Sequence, residues 1–190
     1  MRNTRVLAMV ETALCVALAI GLSRLPAYKL PYGGSLSLEM LPIMVIALRR
    51  GFRAGIIAGI LTSVAVFLFE PFVVHWAQVA LDYPVAFGAV GLAAVGAGAW
   101  RSAVAKGRMT RAAWTVVAPA CVLAGALRFA SHFLSGIIFF GSYAPKGQPV
   151  VIYSLVYNAS YMVPATIACA IATALLLPAL ERAVPAAGRA

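Results

Sequence analysis

Six apolar runs, separated by short polar or Gly- and Pro-rich breaks, constrain this chain more than any other feature. They cover roughly residues 6–25, 37–50, 53–71, 77–100, 112–140 and 152–180. A helix crossing the hydrocarbon core of a bilayer needs about 20 apolar residues. The second run is short and starts at Glu39, so it is expected to tilt or to begin within a re-entrant loop. The fifth and sixth are long enough to tilt or to project beyond the bilayer. Composition agrees, because 63% of the 190 residues are hydrophobic and 11% are charged. Soluble domains carry about a quarter charged residues. The spacing predicts an all-α membrane protein, six transmembrane helices in one bundle, with residues 1–190 forming a single integral membrane domain.

The charges orient that bundle. Fifteen Lys and Arg stand against five Asp and Glu, a net charge of +10. Such a balance suits nucleic-acid binding only where the cations form one surface. Here they lie in short clusters between apolar runs: Arg2 and Arg5; Arg49, Arg50 and Arg53; Arg101, Lys106, Arg108 and Arg111; Arg182 and Arg189. With six helices, all of these fall on one side, and only Arg24, Lys29 and Lys146 fall on the other. The positive-inside rule then puts both termini in the cytoplasm. The chain is expected in a prokaryotic cell (inner) membrane, multi-pass, with lipid around it and no nucleic acid as partner.

Smaller features narrow the choice. Cys15, Cys121 and Cys169 sit inside apolar runs without a CxxC, as packing residues rather than ligands. No small-residue cleavage site follows the first run, so it is expected to be retained. The outer loop PAYKLPYGGSLS (26–37) could serve as a plain connector or as a lid, and SYAPKGQP (142–149) is a second loop of this kind. No internal repeat is visible, which disfavours an inverted-repeat transporter. HExxH, GxSxG and GxxxxGK[ST] are absent, and His75 and His132 lack metal-ligand spacing, so no enzyme, metal site or cofactor is expected.

Ionisable residues within membrane segments are costly and mark functional sites. With the orientation above, Asp82 and Tyr83 lie about two turns below the outer surface. Arg128, His132, Gly136 and Phe140 follow at four-residue steps along the fifth helix, on one face. Tyr153, Tyr157 and Asn158 lie in the outer half of the sixth. Taken singly, each has a plain structural role open to it. The tyrosines suit an interfacial belt, Asn158 suits interhelical bonding, His132 suits a satisfied core position, and Arg128 with Asp82 suits an ion pair. Their convergence at one depth is what points to a site. A carboxylate in low dielectric attracts an organic cation, and Tyr83 and Phe140 offer aromatic faces. Asn158 and a tyrosine hydroxyl can read a heteroaromatic edge, and Gly136 lets a ring approach the helix. The expected ligand is small, flat and polar, with a cation among the candidates.

At LRRGFRAGIIAGIL (48–61), ALDYPVAF (80–87) and RFASHFLSGIIFFGSYAPKGQPVVIYSLVYNAS (128–160) the chain resembles the thiamine-specific substrate-binding (S) subunits of energy-coupling factor (ECF) transporters. The resemblance implies six helices, a pocket near the outer face closed by the loop after the first helix, and thiamine as substrate. It implies contacts from Asp82, Tyr83, His132, Gly136, Tyr153 and Asn158. Arg128 stands where that family leads one to expect lysine, Phe140 where it leads one to expect tryptophan, and Asp82 where it leads one to expect glutamate. The first loop also lacks an expected tryptophan. The resemblance further implies a membrane-embedded coupling (T) subunit and two ATPase subunits as partners. Ala13 and Ala17 (A-L-C-V-A) match its small-residue motif for docking the T subunit, a spacing that permits close helix approach. The alternatives are an S subunit for a related pyrimidine or thiazole precursor, and a stand-alone small secondary transporter.

Overall fold

The computed structural model describes residues 4–184. Arg2 and Arg189, counted above in orienting the chain, lie outside the described residues. Six helices make up the fold. They are α1 (Thr4–Ser23), α2 (Met40–Arg50), α3 (Phe52–Phe69), α4 (Trp76–Ala105), α5 (Met109–Phe139) and α6 (Val150–Ala183). All but α2 are long and apolar enough to cross a membrane. The chain is a multi-pass membrane protein.

The short second segment resolves into an 11-residue helix, about 16 Å long, which runs from Glu39 at one end of the bundle to Arg49 and Arg50 at the other. It is the buried axis of the bundle: nine of its residues, from Met40 to Arg49, are buried. Gly51 adopts φ 89°, open to glycine at little cost, and turns α2 directly into α3 without a loop. Gly107, at φ 68°, turns the three-residue link between α4 and α5.

Close helix approach has a specific seam. A Cβ on Gly59 of α3 would stand 2.2 Å from the Phe87 carbonyl oxygen of α4, and one on Gly91 of α4 would stand 2.4 Å from the Gly55 backbone. In lipid the hydrophobic effect does not drive helices together, so this small-residue contact lets backbones supply the packing. Cys121 and Cys169 are buried in the helix interfaces and Cys15 is half-buried, in keeping with packing roles. Helix α1 is the least enclosed. Among its described residues only Ala19 is fully buried, whereas Leu14 and Leu18 are each 60% exposed and Ala13 and Ala17 lie on the open side.

Two irregular stretches shape the site. Pro84 has no N–H and cannot close the α-helical ladder, and α4 widens there into a π turn over Leu81–Val85. The Ala86 N–H reaches back to the Leu81 carbonyl, which also accepts from Ser131 Oγ at 2.7 Å. Between α1 and α2, β1 (Tyr28–Lys29) pairs antiparallel with β2 (Ser35–Leu36), making a small flap whose tip turns through Tyr32 at φ 66° and Gly33 at φ 96°.

Candidate ligand-binding site

Under that flap lies a cavity of about 330 Å³, at the end of the bundle opposite the Arg49–Arg50, 101–111 and Arg182 clusters. All eight side chains expected from the sequence line it: Asp82, Tyr83, Arg128, His132, Gly136, Phe140, Tyr153 and Asn158. Three helices therefore do deliver polar and aromatic groups to one depth. Ligand sites of about 300–1,000 Å³ accommodate small organic molecules.

The carboxylate is positioned from two sides. Gln78, one turn earlier on α4 and 1% exposed, donates to Asp82 Oδ2 at 2.7 Å. Its amide also accepts from Val74 N at 3.0 Å, which ties the 72–74 segment to the same helix face. His132 Nδ1 lies 3.1 Å from Asp82 Oδ1. The other ring nitrogen, Nε2, is buried without a protein partner among the described residues. A histidine anchored through one nitrogen presents the other in a fixed direction.

Arg128 does not pair with Asp82. It binds Glu39 Oε1 at 2.6 Å and lies 4.1 Å above the Phe87 ring. Both members of this pair are almost fully buried. The alternative pairing fails because the flap delivers Glu39, immediately before α2, into the middle of the bundle beside Arg128. Sequence distance between the two, 89 residues, hides this meeting.

Gly136 also acts differently from the expectation. A Cβ there would sit 2.1 Å from Ser154 Oγ, so the close approach it permits is that of α6. Asn158 is heavily engaged. Its Nδ2 donates to Ser154 O at 2.9 Å, and its Oδ1 accepts from the Tyr161 hydroxyl at 2.9 Å. The Tyr83 hydroxyl accepts from Phe72 N at 3.2 Å, bracing the loop after α3. Phe140 stacks on Phe72 with centroids 5.9 Å apart. The Tyr153 hydroxyl has no hydrogen bond among the described residues, and the ring tilts toward Tyr157 at 5.9 Å.

The flap is fastened at three points. The Tyr157 hydroxyl accepts from Gly34 N at 3.0 Å and donates to the Pro31 carbonyl. Tyr32 packs on Tyr143 of the other outer loop, centroids 4.5 Å apart. Arg24 and Lys29 both bind Glu70, at 2.8 and 2.9 Å. The hydrogen bond from Lys29, with Arg24 adding to it, holds the Glu70 carboxyl below the usual glutamate range. Glu39, Gln78 and Tyr161 also line the cavity and were not among the expected site residues, and Tyr157, expected at this depth, was not expected to hold the flap. Two of these carried a signal, since Gln78 is i−4 to Asp82 and Tyr161 continues the Tyr153–Tyr157 stripe at a further four-residue step. Among the described residues no group of His, Cys, Asp and Glu could hold a metal ion.

Fold and site together define a multi-pass membrane protein with a solute-sized, carboxylate-bearing cavity beneath a closed flap. The chain belongs to the thiamine transporter protein family (Thia_YuaJ), whose family model matches residues 9–184. It is 40% identical over 184 residues to the thiamine transporter ThiT of Bacillus subtilis (strain 168), covering 95% of each chain. It is 30% identical to ThiT of Lacticaseibacillus paracasei, covering 93% of this chain and 89% of that one. A solved structure of ThiT from Listeria monocytogenes superposes with a TM-score of 0.85 at 28% identity, covering 95% of this chain and 98% of the other. These relatives are named as transporters.

Proposed function

We propose that this chain captures thiamine in the flap-covered cavity, as the substrate-binding subunit of an ECF-type importer. The observation that supports this most directly is the Asp82 carboxylate, held by Gln78 and His132 within an aromatic-walled cavity, in a chain of the thiamine transporter family. Thiamine is a cation built from two flat rings. A fixed carboxylate in low dielectric offsets the thiazolium charge, and the rings of Phe140, Tyr83 and Tyr153 supply apolar walls. His132 Nε2 and the Tyr153 hydroxyl are the groups free to bond ligand heteroatoms. Asn158, Gly136 and Arg128 act mainly by holding the wall in shape. The flap excludes water and must open for entry and release.

The same reading puts both termini in the cytoplasm and the cavity outside, so the chain acts as a receptor for extracellular substrate. Energy comes from partners: a coupling (T) subunit docking on the open face of α1 at Ala13 and Ala17, and two ATPases. Absence of an internal repeat and of a catalytic constellation favours this over a stand-alone transporter or an intramembrane enzyme. Calorimetric titration of the purified protein with thiamine is the test. Saturable binding at micromolar concentration or below is expected, with the separate pyrimidine and thiazole halves binding at least tenfold more weakly. No binding of thiamine would remove this reading, and tighter binding of either half would reassign the ligand to a precursor.

A further inference from the structure

The end of the molecule opposite the cavity carries a second concavity, about 410 Å³, between the end of α4 and the start of α5. Ser102, Lys106, Arg108, Arg111 and Thr115 line it, over a floor that includes Val116. Three cations thus converge on one groove, and all three are exposed. None of them forms an ion pair among the described residues. The chain has no carboxylate side chain left to offer them. Glu11 is bound to Arg49 and Arg50, Glu39 to Arg128, Glu70 to Arg24 and Lys29, Asp82 to His132, and Glu181 to Arg49. Those five are all the Asp and Glu of the sequence.

Helix length sets the depth of the groove. The two helices that meet there have 30 and 31 residues, about 45 Å each, against a hydrocarbon core of about 30 Å. Their joined end therefore reaches the headgroup layer. Trp114, one turn into α5 and 48% exposed, stands beside the groove as an interfacial anchor would. Past Trp114, Val122 and Leu123 continue as exposed apolar surface along α5.

We propose that this groove binds the phosphodiester headgroup of an anionic phospholipid, its acyl chains lying along the exposed face of α5. Lys106, Arg108 and Arg111 pair with the phosphate, and the Ser102 hydroxyl donates a further hydrogen bond. Basic pockets between membrane helices take such headgroups, and each Lys or Arg near the surface contributes about 1 kcal/mol, or roughly fivefold in affinity. A free phosphate shares the charge but gains nothing from the apolar surface beyond Trp114. This site is independent of what the cavity binds.

Native mass spectrometry of the full chain in neutral detergent, titrated with phosphatidylglycerol or phosphatidylcholine, tests it. One saturable phosphatidylglycerol adduct is expected, with phosphatidylcholine binding at least tenfold more weakly. Lys106→Gln, Arg108→Gln and Arg111→Gln should each weaken the adduct about fivefold, and the triple variant about a hundredfold. A control carrying Arg53→Gln, Arg101→Gln and Arg182→Gln removes the same charge from the same end and should change it less than threefold. Equal loss in the control would reduce the effect to general surface charge and overturn the site. So would equal binding of the two lipids, or displacement of phosphatidylglycerol by millimolar inorganic phosphate. Unfolding midpoints check that the variants fold, and the single variants carry the test should the triple not fold.

Discussion

The two ends of α2 handle buried charge in opposite ways. At the inner end Arg49 and Arg50 close a knot. Arg50 grips Glu11 through two bonds of 2.7 and 2.8 Å, and Arg49 sits 3.3 Å from both Glu11 and Glu181. Trp100 Nε1 and the Val184 carbonyl add bonds of 3.4 and 3.0 Å. At the outer end Glu39 pairs with Arg128, but the neighbouring Arg128 Nε and His132 Nε2 have no hydrogen-bond partner among the described residues; at the inner end Arg49 Nη1 has none either, yet it faces the Glu181 carboxylate at 3.3 Å. The inner charges face one another across packed helices. The outer ones face a cavity. A charge cluster that closes on itself holds helices together, whereas one left open toward a cavity can also read a ligand.

That contrast is breakable at both ends. Arg49→Leu should have the largest effect, since it removes the guanidinium that pairs with the buried Glu181 carboxylate. A loss of about 3–5 kcal/mol in stability is expected, seen as a lower unfolding midpoint, with thiamine affinity changed less than threefold. If affinity fell instead of stability, the inner knot would belong to the binding machinery. Asp82→Asn should do the reverse. Removing the charge but not the shape weakens thiamine binding about 10- to 100-fold in calorimetry, with little change in the unliganded unfolding midpoint.

Gln78→Met sharpens the outer end further. Losing its bond to Asp82 should weaken binding about tenfold, and this loss should largely vanish in the Asp82→Asn background. Additive losses would mean that Gln78 acts on the fold rather than on the carboxylate. Gly34→Val addresses the flap. An added Cβ meets the Tyr157 hydroxyl at 2.8 Å and Tyr161 Cε1 at 2.9 Å, so the flap should seat poorly. Thiamine dissociation, followed by stopped flow, should quicken severalfold, and an unchanged rate would show that the flap does not limit release.

The smallest effect concerns acid. Glu70 has a depressed carboxyl in the closed flap, so its clamp contribution is complete above the ordinary glutamate range and is lost as pH falls through the lower, folded value. The pairs are about half exposed and screened by salt, so the gain is under about 1 kcal/mol. Dissociation should quicken slightly at acid pH in wild type, and the Glu70→Gln variant should lose that dependence.

Much of this was legible before any coordinates. Apolar run length dictated a bundle of six membrane helices, because bilayer thickness allows few other solutions. Four-residue steps put Arg128, His132, Gly136 and Phe140 on one face, and the depths of Asp82, Tyr153 and Asn158 matched them. Local periodicity sees only one helix at a time, however. It could not tell that Glu39 rather than Asp82 would take Arg128, or that Ser154 rather than a ligand would fill the space at Gly136. Nor could it tell whether residues 26–37 were connector or cover, since the flap is held by Tyr157 and Glu70.

The sequence by itself determined which segments cross the membrane, which residues share a depth and which family the chain resembles. These depend on hydrophobicity and helical repeat, which are local. Only the tertiary structure decided which charges meet and which remain open to the cavity. It also decided that the shortest apolar run is the buried axis of the bundle. Those outcomes depend on contacts between residues far apart in the chain.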